Sequence, residues 1–218
     1  MPPAQGKGAF RMSLSVLFVR HGESEANLND MLVSEHADPP LTDRGRQEAR
    51  MVAHQWMIQP PTAIYASPLK RSIDTAKIWA EETHASPVQI DPRLHEIRLG
   101  EFDGRRIQDL LENDRIRYQL WKSDPESPPR HGEKLSAVGT RMMSFLSDMS
   151  TRYESGFVVA ITHADCLKAV TLHILQAPWQ SARFLHFSNV AGVHVTKTGS
   201  RFELLGLPCS PPAHDGSL

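Results

Sequence analysis

The tetrapeptide Arg-His-Gly-Glu occurs twice in this chain, at residues 20–23 and at residues 130–133. An arginine and a histidine in that order could hold a phosphate and attack it, because the planar guanidinium fork matches phosphate oxygens. The two copies stand in different settings. The first ends the apolar run LSVLFV, which reads as a strand buried on both faces. The second follows the irregular stretch DPESPP and runs straight into an amphipathic pattern, so it reads as a helix start with Glu133 near a positive N-terminus.

Three further groups lie at predicted strand ends. YASPLKRSIDTA places Arg71 in the first turn of a helix after a strand. DPRLHEIRLGEFDG places Glu96 in a loop after the short strand PVQI, and VVAITHADC places His163 at the end of a second buried strand. Four strand-end loops therefore carry Arg20, His21, Arg71, Glu96 and His163. Parallel strands bring such ends to one edge of a sheet, where ligands bind. Two arginines, two histidines and a carboxylate suit phosphoryl transfer without a metal, since that chemistry needs positioning and charge neutralisation above all.

The elements that must position these groups alternate. After the first strand, Thr42 is an N-cap, and Ala49, Val52, Ala53, Trp56 and Met57 recur at helical spacing until Pro60 and Pro61 stop the helix. Ile73, Ala76, Ile78 and Ala80 mark the next helix. Leu135, Val138, Met142, Phe145, Leu146 and Met149 mark an amphipathic helix that begins at Glu133. AGVHVTK and RFELLGL form a closing hairpin. The alternation predicts an α/β fold, a three-layer α/β/α sandwich on a mostly parallel central sheet. Residues 12–206 are expected to make one domain, with 105–134 as a small cap segment and frayed tails at 1–11 and 207–218. The cap segment has seven Lys/Arg against six Asp/Glu and does not announce a polyanionic substrate; Tyr118, Leu120 and Trp121 could supply an apolar wall.

The blocks RHGESEAN, LTDRG, SPLKRSIDTA, LHEIRLGEFDG and ITHAD, in this order and spacing, resemble the histidine phosphatase superfamily, the phosphoglycerate-mutase-like group. The resemblance runs from about Val16 to about Val195. It implies that fold, and it implies roles. His21 would be the nucleophile that forms a phosphohistidine, and an unperturbed imidazole pKa near ~6.5 supplies the neutral form this needs. Arg20, Arg71 and His163 would hold the phosphoryl oxygens, with Asn27 as a neutral donor, and Glu96 would protonate the leaving alkoxide and then activate water. Asn27 and Ser24 are ligand candidates with a structural alternative, as caps of the helix beginning beside them. Glu101 and Asp103 compete with Glu96 as the acid. Gly22 is expected to let the backbone approach the phosphate.

Two departures from the family pattern stand out. Lys134 follows Gly132 and Glu133 where the family often carries serine, and Ala164 and Asp165 follow His163 where it often carries two glycines. His131 is read as incidental, at the pocket rim. The expected activity is metal-independent and cofactor-independent hydrolysis of small phosphorylated metabolites. A 2,3-bisphosphoglycerate-dependent mutase is the first rival, although Ala26 stands where the mutases usually carry tryptophan. A non-catalytic phospho-ligand or protein-binding module is the second.

Composition sets outer bounds. With 218 residues, 40% of them hydrophobic, and a net charge of −1, the chain announces neither a nucleic-acid partner nor a membrane surface. The stretch MSLSVLFV is short for a signal peptide and is followed by Arg20 and His21 rather than small cleavage-site residues, so a cytoplasmic protein is expected. Cys166 and Cys209 make no zinc spacing and read as free thiols in a reducing compartment. The eleven histidines show no shared metal-ligand spacing. Oligomeric state is left open, a homodimer included.

Overall fold

The computed structural model describes residues 13–56, 60–85 and 87–206. Met57 of the expected helix, Cys209 and both tails lie outside these residues.

Six strands form one sheet in the order β3-β2-β4-β1-β5-β6: β1 Leu14–Arg20, β2 Ala63–Ala66, β3 Gln89–Ile90, β4 Gly156–Thr162, β5 Gly192–Thr198 and β6 Arg201–Gly206. β3, β2, β4 and β1 run parallel, while β5 pairs antiparallel with β1 and with β6. The sheet is mostly parallel, as expected, with the antiparallel hairpin at one edge. The unbroken apolar run of β1 serves two cores. Leu14, Val16 and Phe18 face one side, and Leu17 and Val19 face the other. This is the burial that a strand covered on both faces requires.

Helices α2 (Asp43–Gln55) and α3 (Lys70–Thr83) cover the second side, where Val52, Ala53, Ala76 and Trp79 are buried. Helices α6 (Leu135–Arg152) and α7 (Ala164–Leu175) cover the first, burying Leu135, Val138, Met142, Phe145 and Leu146. The result is the three-layer α/β/α sandwich. A single turn, α1 (Glu25–Leu28), precedes α2, and the cap holds α4 (Ile107–Asn113) and α5 (Arg115–Ser123). Leu110, Tyr118 and Trp121 anchor the cap on the core through Phe102, whose ring centroid lies 6.1 Å from that of Trp121.

One local expectation needs correction. Thr42 does cap α2, its Oγ1 accepting from the Gly45 N–H at 3.0 Å. The helix expected from Glu133, however, begins at Leu135 with Lys134 as N-cap. Glu133 is buried ahead of it and pairs with Arg141 through both carboxylate oxygens, each at 3.1 Å. Gly22 also meets a packing demand: a Cβ there would lie 2.3 Å from the Gly45 carbonyl oxygen. The first RHGE loop and the first turn of α2 pack backbone against backbone.

The second RHGE is a turn. His131 is exposed at φ +62°, and Arg130 exchanges backbone and side-chain bonds with Glu101. Gly100 lies against it at φ +52°, and a Cβ there would stand 2.1 Å from the Arg130 carbonyl oxygen. A side chain at that position meets both left-handed strain, of about 1–3 kcal/mol, and a fixed backbone. Gly100→Ala should therefore lower the unfolding free energy by at least ~2 kcal/mol, read from urea denaturation. A loss below about 0.5 kcal/mol would show that the 130–132 turn gives way freely.

Candidate active site

β1 and β4 are neighbours, yet the chain leaves β1 for α2 on one face and leaves β4 for α7 on the other. Such a switch point opens a crevice beyond the carboxyl ends of the strands. His21 follows β1 and His163 follows β4. Their rings meet edge to face with centroids 5.1 Å apart. Above them is a cavity of about 900 Å³ whose lining includes Arg20, His21, Asn27, Arg71 and Glu96. His163 lies beneath it, fully buried.

The hydrogen bonds select the tautomer of His21. Its Nδ1 lies 2.7 Å from the Gly22 carbonyl oxygen, which can only accept, so Nδ1 carries the proton. The lone pair is on Nε2, where Arg71 Nε donates to it at 3.2 Å. Burial, then the charges of Arg71 and Arg20, hold the imidazole well below its ordinary pKa, so it is neutral. His163 is held low in the same way, by burial and then by Arg71, His21 and His95. Its Nδ1 is 3.5 Å from Arg71 Nη2, a donor, and its Nε2 is 2.9 Å from Ser67 Oγ and 3.3 Å from Ser72 Oγ. Nδ1 thus accepts, and Nε2–H donates to a serine.

The two arginines carry the charge of the site. Arg20 Nη1 donates to the Phe187 carbonyl at 2.8 Å, while its buried Nε–H has no partner among the described residues. Arg71 is 2% exposed and donates to the Val33 carbonyl at 3.1 Å and to Asp38 Oδ1 at 3.4 Å. Burial lowers the pKa of both, although guanidinium remains protonated. An incoming phosphate would meet the free Arg20 donor and would compete for the Arg71 Nε–H now spent on His21.

The carboxylates are sorted by their surroundings. Glu96 lines the cavity, and burial, then the charge of Asp165, push it up to about 7; a bond from the Ile97 N–H and the charges of Arg71 and Arg20 oppose this. Asp165 goes the other way. Burial works against its charge, but Lys168, at 2.8 Å, and Lys122 keep it below the usual range. The rival acids are engaged elsewhere. Glu101 pairs with Arg117 and accepts from the Arg130 N–H at 2.7 Å. Asp103 ties down the 34–36 loop by accepting from three backbone N–H groups, at 2.6 to 2.9 Å.

The Glu96 loop is clamped from below. Arg141 donates to the Arg93 carbonyl at 2.6 Å, Thr162 Oγ1 to Leu94 at 2.7 Å and Cys166 Sγ to His95 at 3.0 Å. Glu133 accepts from the Arg98 N–H at 3.2 Å. The second RHGE therefore contributes its glutamate, and not its histidine, to the site's framework; His131 is absent from the cavity lining.

Asn27 and Ser24 separate. Ser24 is fully buried at the N-cap of α1 and does not line the cavity. Its N–H and Oγ–H both donate to Asn27 Oδ1, at 3.1 and 3.0 Å, and Asn189 Nδ2 donates to the same oxygen at 3.2 Å. The Asn27 carbonyl is spent, which leaves its NH2 for the cavity. Ser24 thus orients Asn27 instead of touching ligand. Of the expected apolar wall only Trp121 lines the cavity; Leu120 is exposed and Tyr118 packs on Phe102. Sequence reasoning missed Asn189, which also donates to the His21 carbonyl at 3.1 Å, and Thr75, whose Oγ1 accepts from the Gly22 N–H at 3.1 Å. Thr75 lies in the quoted block around Arg71, four residues on; Asn189 carries no local signal.

A parallel sheet with two histidines at its switch point, two buried guanidiniums and one proton-holding carboxylate defines a phosphoryl-handling protein. The family model of the histidine phosphatase superfamily (branch 1) matches residues 16–209, and the chain belongs to that superfamily. It is 30% identical to the adenosylcobalamin/alpha-ribazole phosphatase of Salmonella typhimurium, over 78% of this chain and 82% of that one. It is also 30% identical to the probable phosphoglycerate mutase GpmB of Serratia proteamaculans, over 81% of each. The solved structure of Bacillus stearothermophilus YhfR matches it with a TM-score of 0.82 at 25% identity, over 88% of this chain and 96% of that one. Among the described residues no helix is long and apolar enough to cross a membrane.

The proton on Glu96 has a measurable effect apart from catalysis. Its folded pKa of about 7 exceeds the ordinary 4.5, so the folded chain binds more protons between those values. That contribution to stability is fully present below pH 4.5 and is lost as pH rises through about 7. Glu96→Gln mimics the protonated form and escapes the loss. The variant's stability relative to the parent should rise between about pH 4.5 and 8 by as much as ~3 kcal/mol, at ~1.4 kcal/mol per tenfold in proton affinity. A difference independent of pH, in urea titrations, would show that Glu96 ionises normally.

Proposed function

We propose that this protein is a metal-independent phosphomonoesterase that hydrolyses small phosphorylated metabolites through a phosphohistidine on His21. The observation that carries the proposal is the Nε2 lone pair of a buried, neutral His21 set beside two guanidiniums, one of which has a donor unused among the described residues.

Arg20, Arg71 and the Asn27 NH2 take the phosphoryl oxygens. Nε2 attacks phosphorus and the P–O bond to the alcohol breaks. The Glu96 carboxylic acid gives its proton to the departing alkoxide. Water then attacks phosphorus, Glu96 takes a proton from it, the P–N bond breaks, and the lone pair returns to Nε2. The covalent step divides one displacement into two easier ones. His163 supports Arg71 from below. Hydrolysis of phosphate esters agrees with the phosphatase named among the relatives.

Three experiments test this. His21→Ala should abolish release of inorganic phosphate across a panel of phosphate esters, while His131→Ala keeps most of it; equal losses in both folded variants would refute the assignment. Glu96→Gln should lower kcat/KM by ~10²–10⁴-fold for an alkyl phosphate and far less for p-nitrophenyl phosphate, whose leaving group scarcely needs a proton. Equal falls would remove Glu96 as the acid. Isomerisation of phosphoglycerate, dependent on added bisphosphoglycerate and faster than phosphate release, would instead make the protein a mutase.

A further inference from the structure

The cavity is larger than a phosphoryl group requires, and its remaining charges are unevenly placed. On the α2 wall Arg44 is paired with Glu48, at 3.0 Å, and both line the cavity. On the opposite wall stand Lys168 of α7 and Lys122 of α5. Lys168 is paired with Asp165. Lys122 places its ammonium 5.4 Å from the centre of the Trp121 ring and, among the described residues, forms no ion pair. Asp30 also lines the cavity; of the two ammonium groups, Lys122 is the one left without an ion-pair partner among the described residues.

The same wall leads onward. A second cavity, of about 380 Å³, shares Trp121, Lys122, Asp165, Lys168 and His186 with the first. The alcohol part of a bound ester has room to extend from His21 along this wall, past Lys122 and toward Arg183, which lines the second cavity. Trp121 holds that ammonium by a cation–π contact, which limits its wandering without neutralising it.

Resting on the phosphomonoesterase reading, we propose that Lys122, with Lys168 beside it, recognises an anionic group on the alcohol part of the substrate, either a carboxylate or a second phosphate. The preferred esters are then those whose leaving group is itself an anion. A cationic leaving group is disfavoured beside Lys122.

The test compares n-alkyl phosphates with ω-carboxyalkyl phosphates and with α,ω-alkanediol bisphosphates of equal carbon number. At the best chain length, kcat/KM should favour one anionic series by about tenfold or more, the effect of one charge-assisted contact. Which series wins identifies the anion. Lys122→Met should bring the ratio close to one, Lys122→Arg should keep most of it, and Lys122→Glu should shift preference to ω-aminoalkyl phosphates. A ratio near one at every length in the parent protein, or a ratio unmoved by Lys122→Met and Lys122→Glu, would overturn the proposal. Calorimetric titration of the His21→Ala protein with the same esters reads the preference without turnover. Binding preference with no turnover in the parent would contradict the phosphomonoesterase reading alone; no preference in binding would contradict the Lys122 site.

Discussion

Two guanidinium charges are buried at the carboxyl edge of the sheet with too little negative charge around them. Among the described residues Arg71 has one ion pair, at 3.4 Å to Asp38, and Arg20 has a buried N–H with no partner. Burying charge in this way is costly unless it is paired. Burial first, and then these charges, hold both histidines well below their ordinary pKa and keep them neutral. The imbalance also decides what the cavity accepts, since a phosphate dianion supplies the missing charge and the missing acceptors together. The sandwich can hold the arginines there because β1 and β4 end and α3 begins at one edge, where backbone carbonyls of Phe187 and Val33 orient the guanidiniums.

The same logic separates the acids. Glu96 and Asp165 oppose each other's charge. The two lysines settle the matter by keeping Asp165 ionised, and burial then leaves Glu96 with the proton. One group is thus ready to give a proton near neutral pH while its neighbour keeps its charge. This requires Glu96 to stay where it is, and the 93–98 loop is fixed by bonds to α6, β4 and α7. The duplicated tetrapeptide finds its explanation in this division of labour. One copy lines the site; the other, through Glu133 and Arg141, supports the loop that carries the acid.

The legible part of this protein was the part written in short stretches. The apolar runs of β1 and β4, the Thr42 cap, the helical spacing of α6 and the strand-end positions of Arg20, His21, Arg71, Glu96 and His163 all rest on local pattern, and the structure brings those five residues together. What escaped depends on partners distant in the chain. Ser24 reads equally as ligand or cap until Asn189 is seen sharing its acceptor, 165 residues away by number. That Gly22 must also make room for the Gly45 backbone is visible only when the two are packed together. Glu133 resembles a helix-start acid, yet its partners are Arg141 and the backbone of residue 98. Leu120 and Trp121 are adjacent in sequence, and only the turn of α5 decides which one meets the cavity.

The central claim is that His21 acts through Nε2, with Nδ1 held as a donor to Gly22. Protein labelled with nitrogen-15 in its histidines, trapped during turnover and examined by phosphorus NMR, tests it directly. The account predicts a one-bond phosphorus–nitrogen coupling to Nε2 of His21, absent in the His21→Ala protein. Phosphorus on Nδ1, on His163, or on no histidine during active turnover would contradict it.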